Sequence, residues 1–120
     1  MDSIKHIAQT KMIHFVVNNS VTMLQDELSL LLTKLPPENI KDDIKFKQTV
    51  LAVTHSSINK RFSKIVRFID NFDQLFEQAM FYLRDELLIT KNKPVKDISV
   101  EPSRFCWALK RGFQKALFPN

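Results

Sequence analysis

The fold is decided by residues 58–87, which read INKRFSKIVRFIDNFDQLFEQAMFYLRDEL. Their apolar positions recur at steps of three and four, which keeps them on one side of a helix: Ile58, Phe62, Ile65, Ile69, Phe72, Phe76, Met80, Leu83 and Leu87. A second apolar line repeats every seven residues and contains Phe68, Leu75 and Tyr82. Two apolar lines predict neighbours on two sides, so we expect this helix at the centre of a bundle.

The weak point of this central helix is Asp70-Asn71, because Asp70 is a candidate N-cap for a second helix. No Gly or Pro lies between Glu38 and Lys93, and the apolar stripe keeps its phase across Asp70-Asn71. We therefore expect one helix, straight or bent, over residues 58–87.

The N-terminal third of the chain predicts two further helices. The first begins at Asp2 or Ser3 and ends at a polar interruption, Asn18-Asn19-Ser20. The second follows with apolar residues at alternating steps of three and four, from Val21 to Leu35, and Pro36-Pro37 ends it.

Two more helices are predicted around the central one. A third helix begins at Asp42 or Asp43, and it either ends in a turn at residues 55–57 or runs unbroken from Ile44 into the central helix. The last helix is capped by Ser99 or Ser103 and stopped by Pro119. Gly112 within it predicts a close neighbour, since glycine otherwise weakens a helix by about 1 kcal/mol.

Composition supports an all-α fold. The 120 residues contain one Gly, too few for the tight turns of a strand-rich protein, and ten Phe that favour a ring-filled core. The length suits one domain. We therefore predict a single helical domain over residues 1–120, a compact bundle of five or six helices.

Cysteine usage and hydropathy indicate an intracellular protein. Cys106 is the only cysteine, so no internal disulfide framework exists, and a reducing compartment, cytoplasm or nucleus, is expected. The start, Met1-Asp2-Ser3, lacks the apolar run of a signal peptide, and no apolar run approaches the ~20 residues of a membrane span.

Catalytic and metal-binding patterns are weak. His6, His14 and His55 have no spacing to Cys or acids typical of a metal site, and Cys106 has no adjacent base. One glycine cannot build a phosphate-binding loop. We expect no enzyme activity, no metal and no cofactor.

Three surface hypotheses remain. The favoured one is a protein-protein interaction module, whose partner is another protein or a second copy of the chain, and which docks through apolar residues off the main stripes or near the end: Phe81, Leu88, Trp107 and Phe118. The alternative, suggested by the net charge of +5, is binding to DNA or RNA through basic faces of the central and C-terminal helices: Lys60, Lys64, Arg67, Arg104, Lys110 and Arg111. A third hypothesis places the basic, amphipathic C-terminal helix on a membrane surface.

Two partial resemblances concern the C-terminal half. The segment VEPSRFCWALKR, residues 100–111, resembles the recognition helix of a helix-turn-helix domain, although residues 94–99 are too few for a partner helix. The order of long helix, extended segment and ALKR, residues 108–111, is similar to the second half of a histone fold. Each covers at most half of the chain, so no family is assigned.

Overall fold

The computed structural model describes the backbone of residues 2–86 and 102–117, with the side chains of 4–86 and 103–117. Its helices are α1 (Asp2–Lys34), α2 (Glu38–Lys41), α3 (Asp43–Phe46), α4 (Ala52–Val66), α5 (Phe72–Arg84) and α6 (Pro102–Leu117). A π-helical stretch, Lys47–Leu51, joins α3 to α4. No strand occurs in these two ranges, so the predicted all-α fold class is confirmed.

Helix α1 is unbroken over 33 residues, so the predicted interruption at residues 18–20 is wrong. The polar side chains there bond to the helix itself. The Asn19 amide donates to the Phe15 carbonyl at 2.8 Å, and the Ser20 hydroxyl donates to the Val17 carbonyl at 3.3 Å. Such bonds satisfy short polar groups without ending a helix, and Ser20 is buried.

The predicted turn at residues 55–57 is also wrong, because α4 runs through it. The unbroken alternative is correct for the backbone, but its placement of Ile44 on the central stripe is wrong. Helical backbone continues from α3 through the π-helical stretch into α4. A π turn inserts one extra residue, which moves the preceding side chains about 100° round the axis. Ile44 is consequently exposed rather than aligned with buried Leu51.

The single helix predicted for residues 58–87 is divided at residues 67–71 into α4 and α5. Asn71 adopts the left-handed conformation, with φ of 57°, which asparagine tolerates better than most residues. It occupies the N-cap position of α5 without a side-chain hydrogen bond, so Asp70 is not the cap. The apolar stripe nevertheless stays buried in and after the turn, at Ile69 and Phe72, whereas Ile65 before it is half-buried.

Helices α5 and α6 pack at very short range where Gly112 meets Ala79. A Cβ added to Gly112 would lie 2.7 Å from the Ala79 carbonyl oxygen, which confirms the predicted close neighbour. The rings of Phe72, Phe76 and Phe113 stack beside this contact, with centroids 5.8 to 6.3 Å apart. Helix α1 packs against α4 on one side and α6 on the other.

Candidate functional site

The candidate site is a groove between α1 and the end of α4. Its volume is about 440 Å³, and its lining is almost wholly apolar, from Met12, Phe15, Ile65 and Phe68, with Lys11 and Lys64 at the edges. We call these six residues the α1–α4 groove. Phe15 and Phe68 are 50% and 57% exposed, although their neighbours Val16 and Ile69 are buried in the core.

The two exposed rings are held in place by the fold. Phe15 packs edge-to-face on Phe62, with centroids 6.5 Å apart. Phe68 lies in the turn after α4, where its N–H donates to the Ile65 carbonyl at 3.0 Å. The Arg67 guanidinium sits over the Phe68 ring, 4.8 Å from its centroid. Both rings therefore present apolar surface from fixed positions.

Gln9 ties the two walls of the groove together. Its side-chain amide donates to the Phe68 carbonyl at 2.6 Å, and its side-chain oxygen accepts from the Asp70 N–H at 2.7 Å. Lys5, one turn of α1 before Gln9, forms an ion pair with Asp70 at 3.1 Å. These contacts fix the turn after α4 against α1, so the groove is formed before any partner arrives.

The charge around the groove is positive. The lining contains two lysines and no carboxylate. Lys11 and Lys64 form no ion pair with any residue in the described part of the chain. Arg61 adds a further cation close by, 5.8 Å from the centroid of the Phe62 ring that supports Phe15.

The apolar partner-binding residues predicted from the sequence differ in their exposure. Trp107 is 54% exposed on α6. Phe81 is half-buried. The centroid of its ring lies 5.2 Å from that of Phe46 and 4.8 Å from the Arg84 guanidinium, so Phe81 packs within the fold. Leu88 and Phe118 lie outside the described residues.

The predicted basic residues are exposed but divided between two places. Lys60, Lys64 and Arg67 lie on α4 and the turn after it, whereas α6 carries Arg104, Lys110 and Arg111. Helix α1 packs against both helices. Lys64 lines the α1–α4 groove, while Lys110 lines a separate cleft of about 380 Å³ with Thr10 and His14 of α1.

The apolar side of α6 is used inside the fold. Phe105, Ala108, Leu109 and Phe113 are buried in the core that α6 shares with α5. The amphipathic pattern that suggested a membrane-surface role is thus accounted for by packing. No helix in the described ranges is long and apolar enough to cross a bilayer.

His55 and Ser57, whose side chains could take part in catalysis, form hydrogen bonds with neighbouring side chains. His55 Nε2 lies 2.6 Å from Asp73 Oδ1, and its Nδ1 lies 3.2 Å from the Asn59 amide. The Ser57 hydroxyl oxygen lies 2.9 and 2.7 Å from the two Glu27 carboxylate oxygens, so its single proton is donated to that carboxylate rather than to His55. No group of three or more His, Cys, Asp or Glu suited to a metal occurs among the residues that were described.

The sequence prediction missed the groove because it assigned Phe68 to an apolar line of the central helix. One signal for Phe15 was available: Phe15, Val16 and Val17 are consecutive and span about 200° of a helix, so one of them had to leave the core. Comparison of the chain with protein-family models, curated proteins and solved structures gives no significant match.

Proposed function

We propose that this protein is a non-catalytic interaction module that binds a partner protein in the α1–α4 groove. The observation that carries the proposal is the pair of half-exposed rings, Phe15 and Phe68, held over an apolar floor by contacts within the fold. Exposed apolar surface of this kind marks docking sites in soluble proteins. A groove between two helices suits the side chains of a third.

Burial of the two rings gives a scale for the affinity. Full burial of a phenylalanine side chain stabilises by about 1.5–3 kcal/mol, so covering the exposed half of each ring contributes ~1 kcal/mol or more. Rings held by packing, hydrogen bonds and a stacked cation lose little entropy on binding, which leaves more of this gain for affinity.

One observation supports a non-catalytic role, and a second supports a reducing compartment. Both nitrogens of the His55 ring already have partners, Asp73 and Asn59. Cys106, a half-buried free thiol, has no disulfide partner in the chain, which suits the cytoplasm or nucleus.

The test is affinity capture from an extract of the cells that make the protein, with three baits. Wild type is compared with Phe68→Asp, which places a charge in the groove, and with Ile44→Asp as the matched control. Ile44 is 67% exposed on α3, outside the groove lining. We expect one partner to be retained by wild type and Ile44→Asp and lost by Phe68→Asp. Equal retention by all three baits contradicts the proposal.

Self-association is tested on the same variants. Sedimentation equilibrium of wild type that shows a dimer, converted to a monomer by Phe68→Asp alone, makes the partner a second copy of this chain. A monomer at every concentration leaves a different protein as the partner.

Binding to nucleic acid is the second candidate, and the uncompensated cations support it. Lys11, Lys60 and Lys64 have no ion-pair partner within the described ranges, and Arg104, Lys110 and Arg111 flank exposed Trp107 on α6. Cations beside an exposed indole suit phosphates and a stacked base. Against it, the cations are divided among three helices, with Lys11 on α1, Lys60 and Lys64 on α4, and Arg104, Lys110 and Arg111 on α6.

A further inference from the structure

The charges beside the α1–α4 groove identify the class of partner, an inference that rests on the proposed function. One wall of the groove is α1, and the other is the last turn of α4 together with the turn that follows it. Helical ligands fill apolar grooves with apolar residues at i, i+3 or i+4, and i+7. An extended strand has no unpaired sheet edge to add to in the described ranges.

The exposed side of α1 extends the groove beyond its six residues. Ile4, Ala8, Lys11 and Phe15 follow one line along α1, and all four are exposed. From residue 4 to residue 15 this line spans about 17 Å at 1.5 Å per residue. A partner helix of about three turns matches that length.

Cations accompany this line, because Lys11 belongs to it and Lys64 of α4 lines the groove beside it, and these cations have few partners of their own. Lys11 and Lys64 have none among the described residues, while the Arg61 and Arg67 guanidinium groups stand over phenylalanine rings. Asp70, the carboxylate beside the Phe68 turn, is already paired with Lys5. A ligand that brought further positive charge here would be repelled.

We infer that the occupant of the α1–α4 groove is an acidic amphipathic helix. Its apolar side would cover Phe15, Phe68 and the floor between them, and its Asp and Glu residues would pair with Lys11 and Lys64. The face of a second identical copy carries the same cations, which disfavours a symmetric dimer through this groove. A nucleic-acid duplex satisfies the charge but offers the apolar floor mainly polar sugar and phosphate.

The experiment is a selection from a library of random 16-residue peptides displayed on messenger RNA, with the full chain as bait. We expect enriched peptides to carry apolar residues at helical spacing with an excess of Asp and Glu. The best peptide is then titrated by fluorescence anisotropy against four variants. Lys11→Glu/Lys64→Glu tests the charges, Phe68→Asp tests the groove, and Lys41→Glu/Lys45→Glu and Ile44→Asp are the controls for charge and apolarity.

The control lysines are exposed and lie at α2 and α3, beyond the far end of α1 from the groove. Loss of two attractions and gain of two repulsions should weaken binding about tenfold or more at 50 mM salt, and less at 500 mM. The Lys41→Glu/Lys45→Glu and Ile44→Asp variants should bind within about twofold of wild type. Circular dichroism of each variant checks that the helices persist.

The outcomes separate this inference from the proposed function. If Phe68→Asp abolishes binding but Lys11→Glu/Lys64→Glu has no effect, docking in the groove stands and the acidic partner is wrong. If the selection enriches basic peptides, or no peptide that depends on Phe68, the inference is overturned. Salt-sensitive binding of a 20-nucleotide RNA or DNA, lost in Lys11→Glu/Lys64→Glu, also overturns it.

Discussion

Gly112→Ala should destabilise the protein, although helix propensity alone favours the change. Within an isolated helix, replacing glycine by alanine gains about 1 kcal/mol. Here the new Cβ would lie 2.7 Å from the Ala79 carbonyl oxygen and 2.9 Å from its Cα. Both atoms belong to the backbone of α5, so a rotamer change cannot relieve the contact and the two helices must move apart.

The magnitude follows from these opposing terms. Overpacking a well-packed core costs about 1–3 kcal/mol, and contact with backbone belongs in the upper part of that range. After subtraction of the propensity gain, the net loss is ~1–2 kcal/mol. Unfolding entropy of about 2.1 cal/mol/K per residue then predicts a Tm lower by roughly 4–8 °C.

Thermal and urea unfolding followed by circular dichroism measure this effect. Gln114→Ala, an exposed position two residues along α6, is the control and should change stability by about 0.5 kcal/mol or less. Ala79→Gly should fail to rescue Gly112→Ala, because the clashing atoms are backbone. An unchanged or raised Tm for Gly112→Ala would refute the close packing of α5 on α6.

Three further predictions concern other parts of the fold and surface. Gln9→Ala removes the hydrogen bonds to the Phe68 carbonyl and the following turn, and should lower the free energy of unfolding by about 1–2 kcal/mol in urea. Arg84→Ala should lower the free energy of unfolding in urea by about 2–4 kcal/mol, since the buried guanidinium packs on two rings and lies 2.7 Å from Asp43. Asp43→Asn should lower it by ~1 kcal/mol or less, because that carboxylate is exposed. If the protein bound nucleic acid through six phosphate contacts, the logarithm of the binding constant would fall with the logarithm of the salt concentration with a slope of about −5. The triple variant Lys60→Glu/Lys64→Glu/Arg67→Glu would then abolish binding. We expect instead that filter retention shows negligible binding by the wild type near 150 mM salt.

The fold class was predictable because it depends on repeated local features. One Gly in 120 residues and apolar steps of three and four exclude a strand-rich core and indicate helices. The errors in predicted helix boundaries arose where the conformation of a single residue decides whether a helix continues. Ser20 bonds back to its own helix instead of interrupting it, and Asn71 adopts positive φ at the N-cap of α5, after a turn that the apolar stripe did not reveal.

The groove was predictable only in part. Charge spacing singled out Lys64 and Arg67, which the structure places on and beside it. Periodicity placed Phe68 on an apolar line, but it cannot reveal whether another helix covers that line. Leu75 on the same line is half-buried, whereas Phe68 is exposed, because neighbouring elements cover the two positions to different extents.

The central claim is that a partner occupies the α1–α4 groove, and methyl NMR tests it most directly. Met12 and Ile65 line the groove, Met80 is buried in the core, and Ile44 is exposed outside the groove lining. In a protein labelled at methionine and isoleucine methyls, saturating amounts of the selected peptide or captured partner should shift or broaden the Met12 and Ile65 signals. The Ile44 and Met80 signals should stay within the linewidth. Bound partner with unmoved Met12 and Ile65 signals would contradict the account.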